Sequence, residues 1–336
     1  MSVSDINRQF LLAARPQGMI KESDFRYNEA PIPEPADGEV LVRVEYISLD
    51  PSMRGQMQSD VAYAAPLDLG VVMRARGVGR IVTSRHPDFP EGAMVSGALG
   101  MQAYAIGNEH VDRFRIFDDS VDSRVVLGTL GGTGLTAYFG LLDVGRPKPG
   151  DVVVVSGAAG ATGSVVGQIA KIKDCAVFGM AGTDDKCAWL TDGLGFDGAI
   201  NYRTQDVAAE LDRLCPNGIN VYFDNVGGEI LDICLDRLAV NARVVICGGI
   251  SRYNLDGDPP GPKNYFNLVF RRARMEGFLA GDYAPKFEEA LAEMQGWIEV
   301  GKLKQRETVI EGFENLPRAL IELFQGANTG KMMVKV

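Results

Sequence analysis

The chain has 336 residues, 46% of them hydrophobic and 23% charged, with a formal net charge of −10. That is a globular composition large enough for two cores, and its acidic balance argues against a nucleic acid or an anionic membrane surface as the main partner. No apolar run approaches the roughly 20 residues that cross a bilayer, and the polar, acidic start MSVSDINRQFLLAARPQG does not read as a signal peptide.

Residues 1–118 read as mainly β. Alternating runs such as GEVLVRVEYISLDP (38–51) and the stretch 77–97 are separated by Pro, Gly and Asp turns. His86, between Arg85 and Pro87, reads as a loop residue and not as a catalytic base. Near residue 125 the character changes, and VVLGTLGGTGLTAYFGLLDVG predicts a glycine-containing loop followed by a helix over 134–144.

From 152 to 280 apolar strands alternate with amphipathic helices. Strands are expected over 152–156, 176–180, 198–201, 221–224 and 243–247, with a sixth near 275–280. Helices are expected over 164–173, 185–194, 207–214 and 229–238. This alternation predicts an α/β fold with a doubly wound parallel sheet. The tail predicts a helix over 286–300, the strand-like ETVIEG, a helix over 314–326 and a closing strand over 331–336. The expected organisation is a β-rich substrate domain from 1–125 and 301–336, with a dinucleotide-binding domain over 126–300 inserted between them.

The most informative stretch is VVVVSGAAGATGSVVG (152–167), a valine strand, a glycine turn and the start of a helix. Gly157, Gly160 and Gly163 permit a tight turn, and the helix start offers N–H groups and a positive dipole end to a pyrophosphate. Ala158 stands where the usual G-x-G opening has its first glycine, so the motif alone is a moderate signal.

Metal chemistry is argued against by counting. His86 and His110 are the only histidines, and the five cysteines (Cys175, Cys187, Cys215, Cys234, Cys247) are scattered, without a CxxC pair. An odd, dispersed set suits free thiols in a reducing cytoplasm.

The series SLDPSMRG, GLTAYFGLLDVG, GAAGATGSVVGQIAK, GTDDKC, LGFDGAINY, YFDNVGG, CGGISRYN and GANTGK resembles the zinc-independent medium-chain dehydrogenases/reductases. Within them it is most similar to the prostaglandin reductase, or leukotriene hydroxydehydrogenase, group and its bacterial curcumin-reductase relatives. The match runs in order over nearly the whole chain. It implies a Rossmann domain inserted in a GroES-like domain, a homodimer paired through sheet edges, and NADPH-dependent reduction of the C=C bond of α,β-unsaturated ketones and aldehydes.

The cofactor preference has a physical basis. A 2′-phosphate needs positive charge beyond the second strand, whereas the ribose diol of NAD needs a carboxylate there. GMAGTDDKC offers both: Asp184 is in range for the NAD role, and Lys186 supplies positive charge. A plain helix start, capped by Thr183 or Asp184 with Lys186 solvated, reads equally from the residues. The resemblance places Lys186 and Tyr202 on the 2′-phosphate.

By the same match, Gly160, Ala161, Thr162 and Gly163 face the pyrophosphate. Asn225, Cys247, Gly248, Ile250, Ser251 and Tyr253 line the ribose and nicotinamide side, and Thr136 is a further cofactor contact. Phe278, Leu279 and Ala280 flank the nicotinamide, and Asn328 reaches in from the C-terminal segment. Turn chemistry alone accounts for Asn225 and Asn328, and Cys247 also reads as a buried small hydrophobe.

Reduction of an enone places negative charge on the carbonyl oxygen, which needs a donor. Tyr253 is the catalytic candidate, with a loop aromatic under the cofactor as its plainer role; the proton for the enolate can come from water. Ser52, Met53, Arg54 and Tyr63 are the substrate-side candidates. Arg54 reads either as a carboxylate binder or as a structural salt bridge. Ser52 stands where the family commonly has a tyrosine, and if that tyrosine contacts substrate its loss widens the pocket or changes the preferred substrate. A quinone reductase of the same fold is the nearest alternative, and a non-catalytic NADPH-binding or structural protein is the alternative of another class.

Overall fold

The computed structural model describes residues 6–59, 65–111, 113–255 and 257–336. The chain divides into two compact units, one from 1–128 with 307–336 and the other from 129–306.

In the first unit β1 (Ile6–Leu12) and β2 (Phe25–Pro31) form an antiparallel pair. β3 (Val40–Ser48), β4 (Gly77–Ser84), β5 (Met94–Gly97), β6 (Tyr104–Gly107) and β7 (Arg115–Phe117) build most of the main sheet. The alternation in VLVRVEYIS appears only in part: Val40, Val42 and Val44 are buried and Arg43 is exposed, but Leu41 is buried as well.

In the second unit six parallel strands run in chain order: β8 (Val152–Val155), β9 (Ala176–Ala181), β10 (Gly198–Asn201), β11 (Ile219–Asp224), β12 (Leu238–Ile246) and β13 (Arg274–Gly277). Their spatial order is β10-β9-β8-β11-β12-β13, with every neighbouring pair parallel. This is the doubly wound order in which a dinucleotide lies across the point where the winding reverses, here between β8 and β11. Val153, Val154 and Val155 are fully buried, as a central parallel strand covered on both faces requires.

The chain then returns to the first unit. β14 (Glu307–Glu311) pairs with β15 (Lys331–Lys335), and β15 pairs antiparallel with β3. Leu316, Leu320 and Val334 from the tail share one core with Leu12, Val42, Ile47 and Met73 from the start.

Several boundaries depart from the sequence reading. The helix expected over 134–144 is Gly132–Phe139 followed by a wider turn, Gly140–Gly145. That over 185–194 is Asp184–Ala188 followed by a similar wide turn, Trp189–Gly193. The helix expected from 164 starts at Ala161, with Gly160 as its N-cap, so Gly163 lies within its first turn and Gly157 in the turn before it. The helix Gly228–Leu235 ends early, because β12 starts at Leu238 and absorbs a bulge in which Asn241 takes a left-handed φ of 63°. The antiparallel β1–β2 pair and the short helix Asn267–Arg271 had no distinct sequence signal.

Candidate functional site

The glycine turn after β8 has the geometry of a phosphate cradle. Gly157 adopts a φ of 58°, which favours glycine, and its carbonyl accepts from the Gly160 N–H at 3.0 Å. A β-carbon on Gly163 would sit 2.4 Å from that same carbonyl oxygen, so only glycine lets the helix start this close to the turn. The helix Ala161–Ile172 opens with Ala161 and Thr162 half-buried and no side-chain cap, so its first N–H groups are those a bound anion would satisfy. Ala158 is fully buried; the space for its methyl comes from Gly179 on β9.

The switch point is tied by a buried polar cluster. Ser156 donates to Asp224 Oδ1 at 2.9 Å, and Asp224 Oδ1 also accepts from Tyr222 Oη and from the N–H groups of Val226 and Gly227. Asn225 donates its side-chain amide to the Ser156 carbonyl at 2.8 Å, and its own N–H goes to Ser156 Oγ at 2.9 Å. The strand ends that flank a dinucleotide are thereby locked to each other.

Residues 247–253 are stitched onto this turn. The Cys247 and Gly248 N–H groups donate to the Asp224 carbonyl, and those of Ile250 and Ser251 donate to the Asn225 and Val226 carbonyls. Tyr253 Oη accepts from the Gly249 N–H at 3.2 Å, which keeps the phenolic proton out of that bond. Burial, and then the Asp224 carboxylate, push the Cys247 thiol up to about 12, so it stays a thiol. Thr136 donates to the Gly132 carbonyl within its own helix. The Phe278 ring occupies the place a Gly140 side chain would take, Leu279 is exposed, and Ala280 is buried.

Beyond β9 the residues form a positively charged corner. Thr183 caps the next helix by accepting from the Lys186 N–H at 3.3 Å. A β-carbon on Gly182 would lie 2.6 Å from Tyr202 Oη and 3.3 Å from Arg203 Nε, so the glycine leaves open a small cradle rimmed by both. The Arg203 guanidinium stands 6.0 Å from the Tyr202 ring centre. Burial first, and the Arg203 charge second, pull the Lys186 ammonium below the ordinary lysine value. Two clustered cations with a phenol fit a phosphate well, and the Asp184 carboxylate is bound instead by Asn201. Arg203 escaped the sequence reading, although it directly follows Tyr202 in INYRTQD.

The remaining candidates lie in the first unit. Met53 is a core residue whose sulfur accepts from the Asp50 N–H at 3.4 Å. Arg54 is buried, and its Nη2 donates to the carbonyls of Pro16 and Gly18. Ser52 is half-buried ahead of the short helix Met53–Gln56. Asn328 donates to the Gly330 carbonyl at 2.8 Å, closing the turn before β15. Lys331 next to it forms a 2.5 Å ion pair with Asp50. Tyr63 lies outside the described residues.

His86 accepts at Nδ1 from the Asp88 N–H and packs edge-on against Phe89, a loop role. Among the described residues no cluster of three or more His, Cys, Asp or Glu side chains could hold a metal ion.

Residues 8–112 match the family model described as the N-terminal domain of oxidoreductase, and residues 161–296 match that described as zinc-binding dehydrogenase. The chain is 41% identical over 335 residues to the NADPH-dependent curcumin reductase of Escherichia coli (strain K12), covering 98% of this chain and 97% of that one. It is 40% identical over 323 residues to prostaglandin reductase 1 of Bos taurus, covering 95% of each. The crystal structure of CurA from Vibrio vulnificus in complex with NADPH superposes with a TM-score of 0.93 at 41% identity, covering 98% of this chain and 99% of that one.

Proposed function

This chain belongs to the medium-chain dehydrogenase/reductase family, in the group of prostaglandin and curcumin reductases, and on that premise we propose that it is an NADPH-dependent reductase of the C=C bond of α,β-unsaturated ketones and aldehydes. The carrying observation is the corner of Lys186, Tyr202 and Arg203 beside a glycine cradle at the end of β9, in the sheet order that binds dinucleotides. The residue set fits the cofactor: the Gly157–Gly163 turn and its helix for the pyrophosphate, the cationic corner for the 2′-phosphate, and Asn225 with residues 247–253 for the ribose and nicotinamide. NADPH, when bound, supplies the hydride for the β-carbon.

The chain's own part is to bind, orient and stabilise. Asn225, fixed by Ser156, holds the loop on which the nicotinamide would rest. Tyr253 supplies an O–H toward the carbonyl oxygen as negative charge develops there. Ser52, Met53, Arg54, Tyr63 and Asn328 act on the substrate side, Met53 and Arg54 by shaping it from the core. The hydroxyl and backbone donors make a metal ion unnecessary for this step.

We further propose that the protein works in the cytoplasm as a homodimer. The described cysteines are all free. β13 is exposed along its whole length at the edge of the parallel sheet, and Tyr265, Phe266, Val269 and Phe270, just before it in the chain, are exposed as well. Such an edge suits pairing with a second copy. Mixing the protein with NADPH or NADH and a panel of enones, enals and quinones, and following cofactor absorbance, tests the reading. NADPH oxidation by enones supports it; oxidation by quinones alone would move the chain to quinone reduction, and binding without turnover would make it non-catalytic.

A further inference from the structure

We propose that Asn201 is a cofactor-specificity residue: its buried amide binds the Asp184 carboxylate and so keeps that negative charge away from the corner formed by Lys186, Tyr202 and Arg203. The inference rests on the NADPH reading above. Asp184 stands just after β9, where enzymes of this architecture that use NAD place a carboxylate on the ribose diol. Left to point at the cofactor, it would repel a 2′-phosphate and cancel much of the field of the two cations.

Asn201 ends β10, the strand beside β9, and is only 4% exposed. Its Nδ2 donates to Asp184 Oδ1 at 2.7 Å, while its Oδ1 accepts from the Arg203 N–H at 3.1 Å. Its main chain is saturated as well: the N–H goes to Gln205 Oε1 at 2.8 Å, and the carbonyl accepts from the Thr204 and Gln205 N–H groups. The side chain therefore works in two directions. Its donor restrains the acid, and its acceptor shapes the turn that presents Tyr202 and Arg203. Aspartate at 201 would offer the acceptor without the donor, and leucine neither, so the position asks for an amide of this length.

Calorimetric binding of NADP+ and NAD+ to the purified protein, without turnover, tests the inference. The wild type should prefer NADP+. In Asn201→Ala the preference should fall about tenfold, as expected for a like charge released beside a phosphate. Asp184→Asn should change the wild-type preference little but restore most of it in the Asn201→Ala background. A merely structural role would weaken both nucleotides together and would not be rescued by removing the acid. Asn201→Ser, smaller but still polar, provides the same cycle should the alanine variant fold poorly. A preference that survives both substitutions at Asn201, or falls equally with and without Asp184, overturns the inference. A wild type that binds both nucleotides equally overturns the NADPH reading itself.

Discussion

The side chain of Asn225 reaches from the end of β11 to the carbonyl of Ser156 at the end of β8, 2.8 Å away, and so bridges the two strands between which the sheet reverses its winding. Ser156 returns the connection through its hydroxyl, which accepts from the Asn225 N–H and donates to Asp224. Removing that hydroxyl leaves the half-buried Asn225 N–H unpaired. Ser156→Ala should cost about 1 to 3 kcal/mol in a denaturant titration and weaken NADPH binding. Unchanged stability and affinity would show that the bridge positions nothing.

Lys186 carries its charge in a partly buried corner beside Arg203. Lys186→Ala should raise KM for NADPH much more than for NADH, and an equal effect on both would count against the phosphate contact. The pH dependence follows from the lowered lysine value. The charged form is lost as pH rises through that value, which lies below 10.5, so NADPH affinity should begin to fall earlier than an ordinary lysine would allow. NADH affinity should stay flat over the same range.

Asp50 and Lys331 join the DPSMRG turn to the GANTGK segment inside the first unit. Burial alone would raise the Asp50 carboxyl, but the Lys331 ammonium and the Ser48 hydroxyl outweigh it and hold the group below its ordinary 3.8. A depressed carboxyl stabilises the fold above its unfolded value, and that contribution disappears as pH falls through the folded value. Lys331→Met leaves the half-buried acid without its ammonium partner and should cost about 3 kcal/mol, read as a lowered midpoint at neutral pH. The double variant with Asp50→Leu should recover much of the loss and flatten the acid limb of the stability curve.

Tyr253 takes the Gly249 N–H on its oxygen. If its O–H meets the developing charge on substrate, Tyr253→Phe should lower kcat by about a hundredfold with little change in KM for NADPH. Full turnover in the phenylalanine variant would reduce the ring to packing beneath the loop.

Much of the architecture was legible because the parallel strands announce themselves: Val152–Val155 and the Val-Tyr-Phe of β11 are apolar runs of the right length, each followed by turn residues. The phosphate turn was legible from its glycines. Less visible were features that depend on what lies opposite. Asn201 looks like an ordinary strand end until Asp184 is found across from it, and the exposed Arg203 is not seen as one of a pair of cations until Lys186 is found nearby. Met53 and Arg54 drew attention as motif residues, yet their surroundings are core side chains and backbone carbonyls from distant segments. The wide turns after Phe139 and Ala188 also escaped; the first begins at Gly140, whose side-chain space is filled by the Phe278 ring, far away in sequence.

The methyl of Ala158 and the bare α-carbon of Gly179 share one volume between adjacent strands; a β-carbon on Gly179 would come within 2.8 Å of the alanine's own. The two positions therefore constitute a single heritable unit. A side chain at 179 needs glycine at 158 and also room from Leu190, whose Cδ1 would lie 2.8 Å from the added β-carbon, so a change there is tolerated only after both neighbours have yielded. Among descendants of this chain, substitution at 179 should appear in company with glycine at 158, so that the spelling of the phosphate turn drifts while its shape is kept.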